Sequence, residues 1–277
     1  MFGHGLGQLL NRVQELLGPS DPSCLTCGRR TRLTRELPGI CPACFRMIPW
    51  ITSIRCFQCG RAIGCPDCSR PGADERAFVL NRSAVMYNGP MREWLAQYKY
   101  RGNERYAELL GEMIVRPYVQ LEQDLRVVLG NSETSGIHSA DRLIHAVTSV
   151  PVSEARLQER GFNQAEVLAE LLAGKVKLPY VGLLRRVRHT DKQSFKNRMA
   201  RLKDMGSAFD RDPNACMRLS QIAERARGKR RAPLRILLID DIYTTGSTAD
   251  ACAHVLQSYE TELDMPIEVY CLTWARS

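Results

Sequence analysis

The stretch Arg235–Thr248, R-I-L-L-I-D-D-I-Y-T-T-G-S-T, constrains the fold of this chain more than any other. Ile236, Leu237, Leu238 and Ile239 make the short apolar run expected of a parallel strand covered on both faces. Asp240 and Asp241 end that run, and a turn of hydroxyls around one glycine follows, Thr244-Thr245-Gly246-Ser247-Thr248. An alanine-rich helical pattern then begins at Ala249. Strand, tight loop and helix N-terminus bring free backbone N–H groups and the positive end of a helix dipole together, which suits a phosphate. Two carboxylates beside such a site repel the phosphate, so they are read as holding what it is attached to. A ribose fits, because carboxylates accept hydrogen bonds from vicinal hydroxyls. The plainer reading of the same residues is a buried strand, an Asp-rich turn and a Ser/Thr cap.

The pattern of hydrophobic strand, paired acids and T-T-G-S-T resembles the 5-phosphoribosyl 1-pyrophosphate (PRPP) motif of the type I phosphoribosyltransferases. The resemblance implies that Asp240 and Asp241 face the ribose hydroxyls, as the catalytic acids if transfer occurs. It also implies that Thr244, Thr245, Gly246, Ser247 and Thr248 cradle the 5-phosphate.

Eight of the 11 cysteines lie between positions 24 and 68 in four C-x-x-C pairs, Cys24/Cys27, Cys41/Cys44, Cys56/Cys59 and Cys65/Cys68. The stretch repeats internally: C-L-T-C-G-R precedes C-P-A-C, and C-F-Q-C-G-R precedes C-P-D-C. In each C-x-x-C-G pair the glycine permits the tight turn that aims backbone N–H groups at sulfur. Two sequential ribbons, each holding one structural zinc ion on four thiolates, are expected. The short loop in the second also admits a crossed pairing between halves, and four cysteines per site satisfy an iron–sulfur cluster too. Knuckle spacing and the lack of a secretory leader argue against disulfides. Cys252 and Cys271 sit in apolar patterns and are read as small core residues.

Composition sets outer limits. The 277 residues are 44% hydrophobic and 25% charged, enough for a sizeable core. No apolar run approaches the length of a membrane span. Residues 6–17 have helical spacing interrupted by Arg12 and Glu15, and read as a short amphipathic helix. The formal charge is +9. Each four-thiolate zinc site carries about −2, so two of them bring the total to about +5. The surface is basic, which suits nucleic acid and anionic PRPP equally.

A polar link, S-R-P-G-A-D-E-R, marks the expected boundary between a 1–73 segment, comprising the helix and double ribbon, and a 74–277 α/β domain. Residues 77–88 read as one or two edge strands. Pro90 suits the first turn of a helix carrying Met91, Trp94, Leu95 and Tyr98, and Leu109, Leu110, Met113 and Ile114 mark a second. Residues 130–140 read as a mobile loop, and 144–152 as another buried parallel strand. The segment 211–233 reads as an insertion holding one helical stretch, to which no chemistry is assigned. Its Lys229, Arg230 and Arg231 are a candidate nucleic-acid backbone contact.

The run V-P-V-x-x-x-R-L-x-x-R-G-F-N-Q at Val150–Gln164, Lys99–Gly102 and the ribbons in front resemble the ComF family of competence-associated proteins, from the first knuckle to the last strand. The resemblance implies a type I phosphoribosyltransferase-like parallel sheet with helices on both faces, the ligand at the carboxyl ends of its strands. It implies that the loop from Pro151 to Arg156 faces pyrophosphate, with Val152 and Ser153 in it. Arg156, Arg160, Asn163 and Gln164 then line or support the pocket, together with Lys99 and Arg101. The basic stretch 185–203 resembles T-x-x-Q-S-x-x-x-R at Thr190, Gln193, Ser194 and Arg198, a closing loop over PRPP; a charged connector or a nucleic-acid contact are the other readings. Magnesium is expected with PRPP, since that much negative charge needs a hard cation. The family implies a cytoplasmic role in DNA uptake and transformation, with single-stranded DNA and other uptake proteins as partners. Active phosphoribosyl transfer to an unidentified acceptor and a PRPP-sensing regulator remain alternatives.

Overall fold

The computed structural model describes residues 22–69, 76–100, 103–132, 142–187, 208–227 and 232–277. The chain divides into two compact units, Met1–Ile48 and Pro49–Ser277. The smaller unit is built around Cys24, Cys27, Cys41 and Cys44. Gly28 turns the first knuckle at φ 70°, its N–H donating to the Cys24 carbonyl (2.8 Å). The second knuckle opens helix α1, Pro42–Arg46, with Cys41 as its N-cap.

The larger unit repeats the knuckle at Cys56–Gly60 and then builds a sheet. Its strands are β1 (Phe78–Met86), β2 (Ala146–Ser149), β5 (Leu234–Tyr243) and β6 (Ile267–Arg276), in the order β1-β6-β5-β2 and parallel throughout. A short antiparallel pair, β3 (Leu184–Arg186) with β4 (Phe209–Arg211), stands apart. Edge strand β1 has its free side covered by the segment in front of it. Ile51 N donates to Ala84 O (3.0 Å), Met86 N to Pro49 O (2.9 Å) and Asn81 N to Gln58 O (2.7 Å). A Cβ on Gly60 would lie 2.5 Å from the Asn81 carbonyl, so knuckle and strand pack backbone to backbone. This covering takes up edge groups that would otherwise pair with another chain. It also puts the second cysteine group in the larger unit, whereas the boundary expected at 73/74 grouped it with the first.

Alternation along β5 explains the two layers of cover. Ile236 and Leu238 share one core with Val269 and Cys271 of β6 and with Cys252 and Leu256 of α8 (Ser247–Gln257). Leu237, Ile239, Tyr270 and Leu272 are equally buried on the opposite face. Elements packed on the sheet are α4 (Val115–Ser132) against β1 and α6 (Gln164–Val176) against β2 and β5, with α3 (Glu104–Met113) packed on α6. Met91, Trp94, Leu95 and Tyr98 are the buried face of α2 (Gly89–Tyr100), the spacing expected from sequence. The remaining helices are α5 (Glu154–Arg160), α7 (Cys216–Ala226) and α9 (Glu260–Leu263). Cys252 and Cys271 are core residues, 0% and 1% exposed. The expected N-terminal helix lies outside the described residues.

Candidate functional site

Parallel register brings the two loops that carry the motifs to one end of the sheet. Ser149 lies opposite Ile239, and Val150 N donates to Ile239 O (2.9 Å). The chain leaves β2 at Pro151 beside the carboxyl end of β5, the usual ligand side of such sheets.

Asp240 and Asp241 do not end the strand. β5 runs through both to Tyr243, because β6 extends equally far and pairs Asp240 with Thr273 and Tyr243 with Arg276. Within a strand, neighbours point to opposite faces. Asp240 continues the face of Ile236 and Leu238 and lines a concavity with Leu238, Thr244, Gly246, Thr248 and Thr273. Asp241 instead pairs with Lys99 in the last turn of α2, both side chains largely covered. Burial, then the charge of Asp241, pushes the Asp240 carboxyl up to about 7, against a hydrogen bond from Asp241 N (2.8 Å).

The loop that follows is held from below. Gly246 has φ 86°, and a Cβ there would overlap the Tyr243 hydroxyl and Arg76 Nη1. Only glycine serves at this position. Arg76 donates to the Tyr243 hydroxyl, and Tyr243 meets Phe78 edge-on at 6.2 Å. Helix α8 starts at Ser247 after Gly246, which has no side chain to cap it, and Ser247 N reaches only Thr245 Oγ1 at 3.5 Å. Thr245 and Ser247 join hydroxyls at 2.8 Å, and Thr244 and Thr245 are exposed. An uncapped helix start ringed by hydroxyls is a ready anion site.

On the β2 side, Val152 is half-buried, Ser153 is the buried N-cap of α5, and Arg156 is exposed. Asn163 caps α6: its Oδ1 accepts from Ala165 N (3.2 Å) and its Nδ2 donates to Val150 O (3.2 Å). Arg160 donates to Gln164 Oε1 (2.7 Å) and to the Tyr100 hydroxyl (2.9 Å). These two side chains therefore brace the loop and tie α5 to α2. Arg101, Gln193 and Arg198 lie outside the described residues, as do Thr190, Ser194 and Lys229 to Arg231.

Sequence reasoning did not single out Arg186. It is half-buried on β3, with its guanidinium 5.2 Å from the Phe209 ring centre. Burial, then the charge of Arg156, lowers its pKa, while Asp240 opposes the shift, so it stands in the electrostatic reach of both loops. The one sequence signal was its place at the head of a basic run. Arg76, Tyr243 and Arg276 were equally unremarked, since their roles arise from contacts between distant segments.

The cysteines gather into two sequential groups, Cys24/Cys27/Cys41/Cys44 and Cys56/Cys59/Cys65/Cys68, with the sulfurs of each within 4.8 Å of one another. Cys24 and Cys44 sulfurs are 3.8 Å apart, and those of Cys27 and Cys41 3.9 Å. A tetrahedron of Zn–S bonds has an edge of about 3.8 Å. Cys41 N and Cys44 N point at the sulfurs of Cys24 (3.3 Å) and Cys41 (3.5 Å). Burial works against ionising Cys24, but hydrogen bonds from Thr26 and the backbone hold its thiol down at about 6. Each group can therefore hold a metal ion, with a donor set compatible with zinc. Sequential grouping answers the pairing question that spacing alone left open.

A parallel four-stranded sheet flanked by helices, with a strand–acid–loop–helix segment at its carboxyl end and two four-cysteine groups before it, is a mixed α/β fold with cysteine clusters consistent with a double zinc ribbon. No protein-family model matches the chain. The chain is homologous to proteins named competence protein ComFC and DNA utilization protein YhgH. It is 28% identical over 248 residues to ComFC of Bacillus subtilis (strain 168), covering 88% of this chain and 82% of the relative. It is 26% identical to YhgH of Salmonella typhi (84% and 89% covered) and 24% identical to ComFC of Streptococcus pneumoniae (84% and 93% covered). No helix among the described residues is long and apolar enough to cross a membrane.

Proposed function

We propose that this protein binds PRPP with magnesium at the carboxyl end of β5 and works in the uptake or use of DNA, with single-stranded DNA as a partner. The observation that carries the ligand is the uncapped start of α8 at Ser247, reached through Gly246 and placed beside Asp240. The 5-phosphate sits on Thr244–Thr248, and Asp240 accepts from a ribose hydroxyl. Asp241 holds Lys99 toward the site, and Arg156 and Arg186 face pyrophosphate, with Val152 and Ser153 shaping that loop. Magnesium would accompany the ligand and offset the negative charge of pyrophosphate. The two cysteine groups hold structural zinc. The DNA role rests on the homology to competence and DNA utilization proteins and on the basic net charge of +9.

Phosphoribosyl transfer is the second reading, favoured by a carboxylate, Asp240, that lines the same concavity as Thr244, Gly246 and Thr248. The bond from C1 to pyrophosphate oxygen breaks, pyrophosphate leaves with the electron pair, and an acceptor closes on C1. Calorimetric titration of Mg·PRPP into the intact protein and into Asp240→Asn/Asp241→Asn tests the site. The expected result is binding to the wild type and an affinity loss of about 100-fold or more in the variant. Equal binding by both proteins, or none by the wild type, overturns the assignment.

A further inference from the structure

Arg276 ends β6 and is only 4% exposed, yet it reaches in two directions. Its Nη2 lies 3.7 Å from the sulfur of Cys59. Its Nη1 donates to the Thr244 carbonyl (2.8 Å), approaches that of Tyr243 (3.4 Å), and also donates to the Ser277 carbonyl. The guanidinium lies 4.6 Å from the centre of the Tyr243 ring, and its buried Nε has no hydrogen-bond partner. Tyr243 in turn touches Gly246 from below and receives Arg76 on its hydroxyl.

We infer that Arg276 is a positioning residue that couples the second cysteine centre to the phosphate loop, so that metal at Cys56/Cys59/Cys65/Cys68 and a phosphorylated ligand at Thr244–Thr248 stabilise each other. The inference deepens the PRPP reading and rests on it for the identity of the ligand. A buried guanidinium is costly unless an anion faces it. Four thiolates around a divalent metal carry a net charge of about −2, which meets that need. With the metal gone, the four sulfurs are no longer held together, Cys59 no longer fixes Arg276, and its hold on Thr244 weakens. Thermodynamic linkage makes the effect reciprocal: a ligand that fixes the loop also fixes Arg276 against the loaded centre.

Amide hydrogen exchange on the intact protein tests this without relying on ligand. Exchange at Thr245–Thr248 is measured with both centres zinc-loaded, after chelation, and in zinc-loaded Arg276→Lys and Arg276→Gln. Lysine retains charge but cannot span sulfur and carbonyl together. Exchange at these amides is expected to rise about tenfold on chelation and in both variants, while Ile236–Ile239 keep their protection and the variants keep two zinc ions. Affinity for Mg·PRPP should fall about tenfold in parallel. Loop exchange that ignores chelation, or an Arg276→Lys protein indistinguishable from wild type, overturns the coupling. A responsive loop in a wild type that does not bind Mg·PRPP keeps the coupling and sinks the PRPP reading; binding with an unresponsive loop does the reverse.

Discussion

At Asp240 the stability of the fold meets the proposed ligand site. Its carboxyl, at about 7, sits above the ordinary 3.8, so the folded chain holds the proton more tightly than the unfolded chain. The stability this proton contributes is full below pH 3.8 and is lost as pH rises toward 7. Asp240→Asn cannot ionise. Its thermal stability relative to wild type should therefore improve from pH 4 to 7 and then level off, by roughly 1–3 kcal/mol. Melting curves across that range check the sign, and a pH-independent difference contradicts it. Ligand affinity of the wild type should strengthen as pH passes about 7, because an ionised carboxylate accepts best from ribose hydroxyls. Gly246→Ala should weaken Mg·PRPP binding at least about tenfold, since the new Cβ meets Tyr243 and Arg76. The acids, the glycine and the hydroxyls were legible in sequence because they are contiguous. Arg186 and Arg276 were not, because neither type nor spacing reveals what a distant segment will offer an arginine.

At the scale of elements, pleat alternation decides more than the motif does. Adjacent acids suggest twin roles, yet β5 sends Asp240 toward the α8 loop and Asp241 toward Lys99. Lys99→Met should remove the partner of Asp241 and raise the Asp240 carboxyl further. A fall of about tenfold in Mg·PRPP affinity, measured by titration at pH 7, is the expected outcome. Leu237→Ala, in the middle of the same strand, should cost about 2–5 kcal/mol in denaturant unfolding. Strand β5, the buried face of α2 and the start of α8 were readable from apolar periodicity. The extension of β5 past the acids was not, since only pairing with β6 supports it. Hairpin β3–β4 was missed as well: its short strands are far apart in sequence, and the basic composition between them reads as loop.

For the whole molecule, the two cysteine groups are similar in sequence but lie in different compact units. Repeat logic revealed the knuckles, and hydrogen bonding to β1 decided where the second belongs. Intact-mass measurement under native conditions should find two zinc ions. Cys59→Ser should lose one ion and most ligand affinity, whereas Cys27→Ser should lose one ion and leave the affinity of the larger unit unchanged. A basic surface predicts single-strand binding that weakens steeply with salt. The same charge would draw any polyanion, so ligand identity rests on geometry. The most direct test compares Mg·PRPP with magnesium pyrophosphate by calorimetry on the intact protein at physiological salt. A site that reads ribose and 5-phosphate binds PRPP about 100-fold more tightly. Equal affinities would mean that the loop after β5 captures charge alone, and would contradict a phosphoribosyl site.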